Sequence, residues 1–363
     1  MARSLISTRP DLSVVAQAPA KAILSGEHSV VYGAPALALA VNCYAQARVQ
    51  SIESAELVLQ LTDLDRCFRY NWPEVIKRAE DAESRYQRFL LGNCPITEVL
   101  VGTDDLYLFA IAALIKDLSL NHCPGILLQL RSDIPVGSGM GSSAATVAAM
   151  LIGVAKLIGV ELTQQRLYQL THHAERLQHG RSSGIDPAVC CYGGLIHFSD
   201  GVIDPRSLEF GDGWFLLDSG KPAVTTGVGV EQVRKNFAGS DIWDEFSQIT
   251  GKMATALREM NQGQLIKQIR LNHRLLCRIG VVPDPIQQLV ADIEQAGGAA
   301  KVSGAGAVAG DQAGLILVYH PQLSESSLSH LALQPLKVDC LGAWVQNADS
   351  VDDLSCDGAN DDY

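Results

Sequence analysis

The stretch from Asp133 to Ala148, DIPVGSGMGSSAATVA, constrains this chain more than any other. Gly137, Gly139 and Gly141 alternate with other residues directly ahead of a run of helix formers. A strand-like segment, GILLQLR at 125–131, precedes the loop, and a helix pattern continues from Ser143 to about Leu157. Glycines at such spacing permit positive φ and let the backbone come close to a ligand. Ser142 and Ser143 fall at the helix start, where unpaired N–H groups and the positive end of the dipole favour an anion. A hydroxyl in that place can also reach a Mg²⁺ that bridges phosphates. The segment therefore reads as a phosphate cradle or, more plainly, as a tight turn ending in an N-cap. It is not a Walker A loop, because GxxxxGK[ST] occurs nowhere in the chain, and Ser142 stands where a Rossmann fingerprint has its third glycine.

The rest of the chain alternates strand and helix patterns without strict βαβ order, which predicts an α+β fold. Strands are expected at 12–18, 36–50, 125–131, 193–199, 300–303 and near 337–345, with two more in WFLLDS and GLILVYH. A helix is expected from Thr163, a plausible N-cap, to about Gln178. Others are expected between about 228 and 296 and near 322–332. The Gly-, Asp-, Pro- and Ser-rich segment 200–213 reads as a linker, dividing the chain into domains at 1–207 and 208–345. Residues 346–363 carry six Asp and little apolar content, and read as a disordered acidic tail. The Arg-rich region 65–105 offers no clear role.

Nine cysteines without any CxxC spacing predict reduced, mostly buried thiols rather than a disulfide framework or a zinc site. A formal net charge of −12 argues against non-specific nucleic-acid binding. Apolar runs stop well short of the ~20 residues that a membrane span needs. The N-terminus lacks the long apolar stretch of a signal peptide, so a cytoplasmic protein is expected.

Three further segments carry chemistry. Residues 18–35, APAKAILSGEHSVVYGAP, place a Lys, a Glu and a His within eight residues. Residues 175–194, ERLQHGRSSGIDPAVCCYGG, hold Glu175 and Asp186. Residues 301–314, KVSGAGAVAGDQAG, form a second small-residue loop. Taken singly, each reads as readily as an ordinary loop or helix end.

In order along the chain, they resemble the signatures of the GHMP kinases. The loop at 133–148 is similar to the family's PxGxGLGSSAA, with Met140 for Leu. GEHSVVYG and the pattern ExxxHGxxSGID resemble the mevalonate kinases in particular. That resemblance implies an N-terminal domain like ribosomal protein S5 domain 2 and a C-terminal ferredoxin-like α/β domain. It implies ATP and Mg²⁺ as cofactors, and transfer of phosphate to (R)-mevalonate to give 5-phosphomevalonate. The ATP contacts would be Pro135, Gly137, Ser138, Gly139, Gly141, Ser142, Ser143 and Ala144, with Ser143 and Glu175 on the metal. Asp186 would act as base beside Lys21. Glu27, His28, Gly304, Ala305 and a threonine, Thr226 or alternatively Thr225, would join Lys21 and Asp186 around the substrate.

The third signature departs from the family's SGAGGGG, since Ala307, Val308 and Ala309 occupy or displace the later glycines. Their side chains are expected to narrow the site. The resemblance also allows a homodimer. Related kinases of phosphomevalonate, sugars or homoserine remain open alternatives, as does a GHMP-fold binding protein without catalysis.

Overall fold

The computed structural model describes residues 12–346, apart from 121, 136, 181, 207–209, 225 and 323–327. The acidic tail from 347 onward, the boundary proposed at 207/208 and residues 323–327 lie outside the described residues. Of the helix expected near 322–332, the described residues 328–332 form no helix but a turn, closed by Leu331 N donating to Leu328 O at 2.9 Å.

Strands β1 (Ser13–Ser25), β2 (Ala36–Ile52), β3 (Glu56–Leu61) and β4 (Arg66–Asn71) open the chain. Helices α1 (Trp72–Leu90) and α2 (Asp105–Asp117), strand β5 (Gly125–Ser132) and helices α3 (Ser142–Leu157), α4 (Gln164–His179) and α5 (Ile185–Tyr192) follow. Next come β6 (Leu195–Ser199), β7 (Val202–Arg206), β8 (Trp214–Asp218), and helices α6 (Thr226–Phe237), α7 (Ile242–Arg258), α8 (Gln262–Arg278) and α9 (Asp284–Gln295). Strands β9 (Ala299–Val302), β10 (Leu315–Tyr319), β11 (Gln334–Pro335) and β12 (Trp344–Val345) complete the order.

The strands form two sheets. The larger has the order β12-β1-β2-β5-β3-β4, with the β6–β7 hairpin branching from β2. Its pairs are antiparallel except β3 with β5. The smaller runs β11-β8-β10-β9 and is antiparallel throughout. Helix α3 lies across β1 and β2, with α4 and α5 beside it, while α8 and α9 cover β9. Small residues let α3 sit close. A Cβ on Gly153 would meet Val49 Cγ2 at 2.9 Å and Ala16 Cβ at 3.3 Å, so a larger residue would push the helix off the sheet.

Two expectations need correction. The segment 200–213 is not simply a linker, because Val202–Arg206 pairs with β6 as a hairpin strand. The strand expected near 337–345 shrinks to Trp344–Val345 and an isolated bridge between Val41 and Val338. The Asp339 carboxylate explains this: it accepts from the N–H groups of Leu341 and Gly342 at 2.9 and 2.8 Å and turns the chain.

Strand β1 also serves the smaller sheet and its helices. Ile23 N donates to Ser303 Oγ at 2.7 Å, Lys301 Nζ donates to Ile23 O at 3.1 Å, and Ser25 Oγ meets Thr250 Oγ1 at 2.7 Å. Among the described residues, no helix is long and apolar enough to cross a membrane.

Candidate active site

A cavity of about 690 Å³ opens where β1, the loop before α3 and the loop after β9 meet. Along β1 the side chains alternate between two environments. Ala20, Ala22 and Leu24 enter the core, while Lys21 and Ile23 line the cavity. Register shifts between Pro19 and Ala20 and between Ile23 and Ser25 flank Lys21 and bend the strand there.

The loop ahead of α3 has the geometry that its glycines allow. Gly137, Gly139 and Gly141 all have positive φ, at 79°, 81° and 73°. No side chain caps the start of α3, and Ser142 and Ser143 of its first turn border the cavity. Pro135, Gly137, Gly139, Gly141, Ser142 and Ser143 line the cavity. Ser138 and Ala144 do not. The Ser138 hydroxyl turns back to donate to Pro135 O at 2.7 Å, and Ala144 is buried in the core.

Lys21 and Asp186 meet beside this cradle, with Nζ 2.9 Å from Oδ1. Lys21 is almost wholly buried and Asp186 is 30% exposed toward the cavity. Gly141 makes room for the pair: a Cβ there would come within 3.1 Å of Lys21 Cγ and 3.5 Å of Asp186 Oδ2. Asp186 stands in the first turn of α5, where the helix dipole favours a negative charge. Lys21 N donates to Met140 O at 2.9 Å, which ties β1 to the cradle.

Glu175 lies near the end of α4 and is buried. Its Oε2 is 3.3 Å from His179 Nε2, and its Oε1 has no hydrogen-bond partner. Burial alone would lower the His179 pKa, but hydrogen bonding and charge from Glu175, with Asp186 adding, raise it overall. Glu175 does not itself line the cavity, whereas Ser143 and His179 do; its orphaned carboxylate oxygen and the Ser143 hydroxyl are donors of the kind a hard dication prefers. Among the described residues, no cluster of three His, Cys, Asp or Glu forms a ready-made metal site, so oxygens of a bound phosphate would have to complete the shell.

The GEH segment builds the opposite wall. Glu27 is buried against Lys301 in an ion pair, and its Oε2 is left unpartnered. Burial raises the carboxyl pKa of Glu27 and lowers the ammonium pKa of Lys301. His28 adopts φ of +58°, a region costly for a residue with a side chain, and its Nε2 donates to Ala305 O at 2.9 Å. Burial lowers the His28 pKa. Both residues line the cavity, as do Gly304 and Ala305.

The altered third signature behaves differently from the sequence expectation. Ala307 is buried in the core, Val308 packs against it, and neither they nor Ala309 line the cavity. The loop meets the cradle through glycine backbone instead: a Cβ on Gly304 would lie 3.4 Å from Gly139 O. Thr226 begins α6, but its side chain, like Thr225, lies outside the described residues.

Sequence reasoning missed two parts of the site. Lys301 sits inside an apolar strand, AAKV, and a charge in such a strand was the signal that it needs a buried partner. The far end of the cavity, formed by Leu61, Leu64, Leu100, Leu106, Tyr107 and Leu130, comes from segments that carry no motif.

Glycine cradle, Lys–Asp pair and orphaned carboxylate on an α+β frame define a small-molecule kinase of the GHMP class. A family model described as GHMP kinases N terminal domain matches residues 105–194. The mevalonate kinase of Thermococcus gammatolerans is 32% identical over 310 residues, covering 81% of this chain and 87% of that protein. The crystal structure of the Methanococcus jannaschii mevalonate kinase superposes with a TM-score of 0.73 at 22% identity, covering 90% of this chain and 98% of that one. That of the L. major mevalonate kinase in complex with R-mevalonate gives 0.66 at 20% identity, covering 93% and 98%. The chain belongs to the mevalonate kinase family.

Proposed function

We propose that the chain transfers the γ-phosphoryl group of ATP to the C5 hydroxyl of (R)-mevalonate, giving 5-phosphomevalonate and ADP. The observation that carries this reading is the Lys21–Asp186 contact of 2.9 Å at the α3 end of the cradle. A carboxylate there can accept the hydroxyl proton as the new O–P bond forms and the bond to ADP breaks. The adjacent ammonium favours the developing alkoxide and offsets charge on the transferring group. The backbone N–H groups of Ser142 and Ser143 suit the phosphates, and the apolar far end of the cavity suits the flat base of the nucleotide. Glu27, His28, Gly304 and Ala305 would orient the acceptor, with Thr226 contributing from α6.

Ser143 and Glu175 would hold Mg²⁺. When bound, the ion neutralises charge on the phosphates. The orphaned Oε1 of Glu175 supports that assignment. With the same reading goes the expectation of a cytoplasmic homodimer, for which light scattering is the direct measure of assembly.

Asp186→Asn is the test. Losing a general base lowers turnover by roughly 10²–10⁴-fold. ATP binding should survive in the variant, as measured by calorimetry. Near-normal turnover would remove Asp186 from the role. A panel of mevalonate, phosphomevalonate, galactose and homoserine with Mg-ATP tests the substrate: ADP released with another acceptor but not with mevalonate would overturn the specific assignment.

A further inference from the structure

The segment joining β8 to α6 is woven into the back of the phosphate cradle. Ser219 Oγ donates to Gly314 O at 2.7 Å and accepts from Ala313 N at 3.0 Å. Gly314 N donates to Gly220 O at 3.1 Å, and Leu315 N donates to Ser138 O at 3.2 Å. Residues 219–220, 313–315 and Ser138 thus form one hydrogen-bonded lattice, and the next residue out of it is Lys221. Its stem lies along the first glycine of the cradle. A Cβ on Gly137 would be 3.5 Å from Lys221 Cγ and Cε and 3.8 Å from Cδ. Gly137 lines the cavity, while Lys221 itself is exposed.

The other lysines at the site are engaged. Lys21 pairs with Asp186, and Lys301 pairs with Glu27. A bound triphosphate brings several negative charges into a chain that is already at −12. Lys221 supplies a solvated cation on a flexible stem at the rim, tethered at its base and able to swing its ammonium over the loop.

We propose that Lys221 is a phosphate-binding residue whose ammonium closes over the non-transferred phosphates of the bound nucleotide. The inference rests on reading the cradle as the ATP-phosphate site. The reacting end is marked by Lys21 and Asp186 at Gly141, and Gly137 lies four residues back along the loop. Lys221 therefore meets the phosphates that ADP retains. An interaction shared by substrate and product nucleotides acts on binding, so its loss falls on KM for ATP more than on kcat.

The experiment compares wild type, Lys221→Met and Lys221→Arg by calorimetry with ATP, ADP and adenosine, and by steady-state kinetics. Lys221→Met keeps the stem and removes the charge. It should weaken ATP and ADP alike by about fivefold to tenfold, the effect of one charge-assisted contact at a wet rim. Adenosine affinity and KM for mevalonate should stay at wild-type values, Lys221→Arg should recover most of the loss, and the difference should shrink as salt is added. ATP affinity unchanged in Lys221→Met overturns the proposal. So does an equal loss for adenosine, or a loss that Lys221→Arg fails to recover, since either would mean that the stem merely props the loop. Wild-type protein that bound neither ATP nor ADP would overturn the cradle reading itself, before any substitution was made.

Discussion

At the scale of the residue, the buried Lys301–Glu27 pair shows how much chemistry sits behind the visible motif. Both side chains are fully buried, and Lys301 also donates to Ile23 O. Taking two charges out of water is costly, and the pair is tolerable only while both members are present. Lys301→Met should therefore destabilise the fold by about 3–5 kcal/mol, because the Glu27 carboxylate is left buried without its cation. Adding Glu27→Gln to that variant removes the stranded charge and should recover much of the loss. Denaturant unfolding of the two single variants and the double variant closes the cycle. Additive losses would show that the two side chains do not act as a pair. Glu27 could be picked out from GEHSVVYG, as Lys21 and Asp186 could from their own segments. Their contacts could not, because Lys301 is separated from Glu27, and Asp186 from Lys21, by long stretches of chain that only the fold brings together.

Elements with strong local codes were legible, and those whose shape comes from distant partners were not. Thr163 caps α4 by accepting from Arg166 N at 3.2 Å, as its side chain and position suggested. Helix α3 starts one residue before the expected Ser143. Helix α1 went unread although it opens with a capping box: Glu74 N donates to Asn71 Oδ1 at 2.9 Å, and Asn71 N donates to Glu74 Oε2 at 3.0 Å. Its many charges mask the apolar stripe of Val75, Ala79, Ala82 and Tyr86. Two of those charges, Arg78 and Arg85, have partners across the helix pair. Arg78 Nη1 donates to Asp104 Oδ2 at 2.7 Å, and Arg78 also pairs with Asp105. Asp105 Oδ2 in turn accepts from Val101 N at 2.8 Å and Gly102 N at 2.9 Å. Leu100, Gly102 and Thr103 wall the far end of the cavity, so this knot shapes the surface proposed for the nucleotide base. Arg78→Met takes the guanidinium from two buried carboxylates, leaving Asp104 the Tyr70 hydroxyl and Asp105 the Arg85 guanidinium and two backbone N–H groups. It should lower stability by about 2 kcal/mol, less than a fully buried pair because Arg78 is a third exposed. It should also raise KM for ATP while leaving KM for mevalonate unchanged. Kinetics at a temperature well below the unfolding midpoint separates the two effects, and equal changes in both constants would count against a local role for the knot.

At the scale of the whole molecule, β1 is the member that both sheets depend on. It carries Lys21 toward the cavity, pairs with β2 and β12 in the larger sheet, and reaches the smaller sheet through Ile23 and Ser25. Ser25 Oγ meets Thr250 Oγ1 at 2.7 Å and accepts from Asn272 Nδ2 at 2.9 Å, all of it buried. Unfolding either half would strip these polar groups of partners and open the site, so the two halves should melt together in one transition. The cavity draws its walls from both halves, with Lys21 and Ser143 on one side and Gly304 and Val230 on the other. A ligand that fills it should then stabilise the whole chain. At a concentration of 100 times its dissociation constant, ATP should add about 2.7 kcal/mol. Scanning calorimetry with and without ATP reads both claims at once. The expected record is a single peak that moves upward intact. Two peaks, with only one responding to nucleotide, would mean that the contacts along β1 do not couple the halves. Ser25→Ala gives the same question a second handle. It removes the shared hydroxyl and should lower the midpoint of that one peak, by the equivalent of about 1–3 kcal/mol for the buried Asn272 amide it orphans, without splitting the peak.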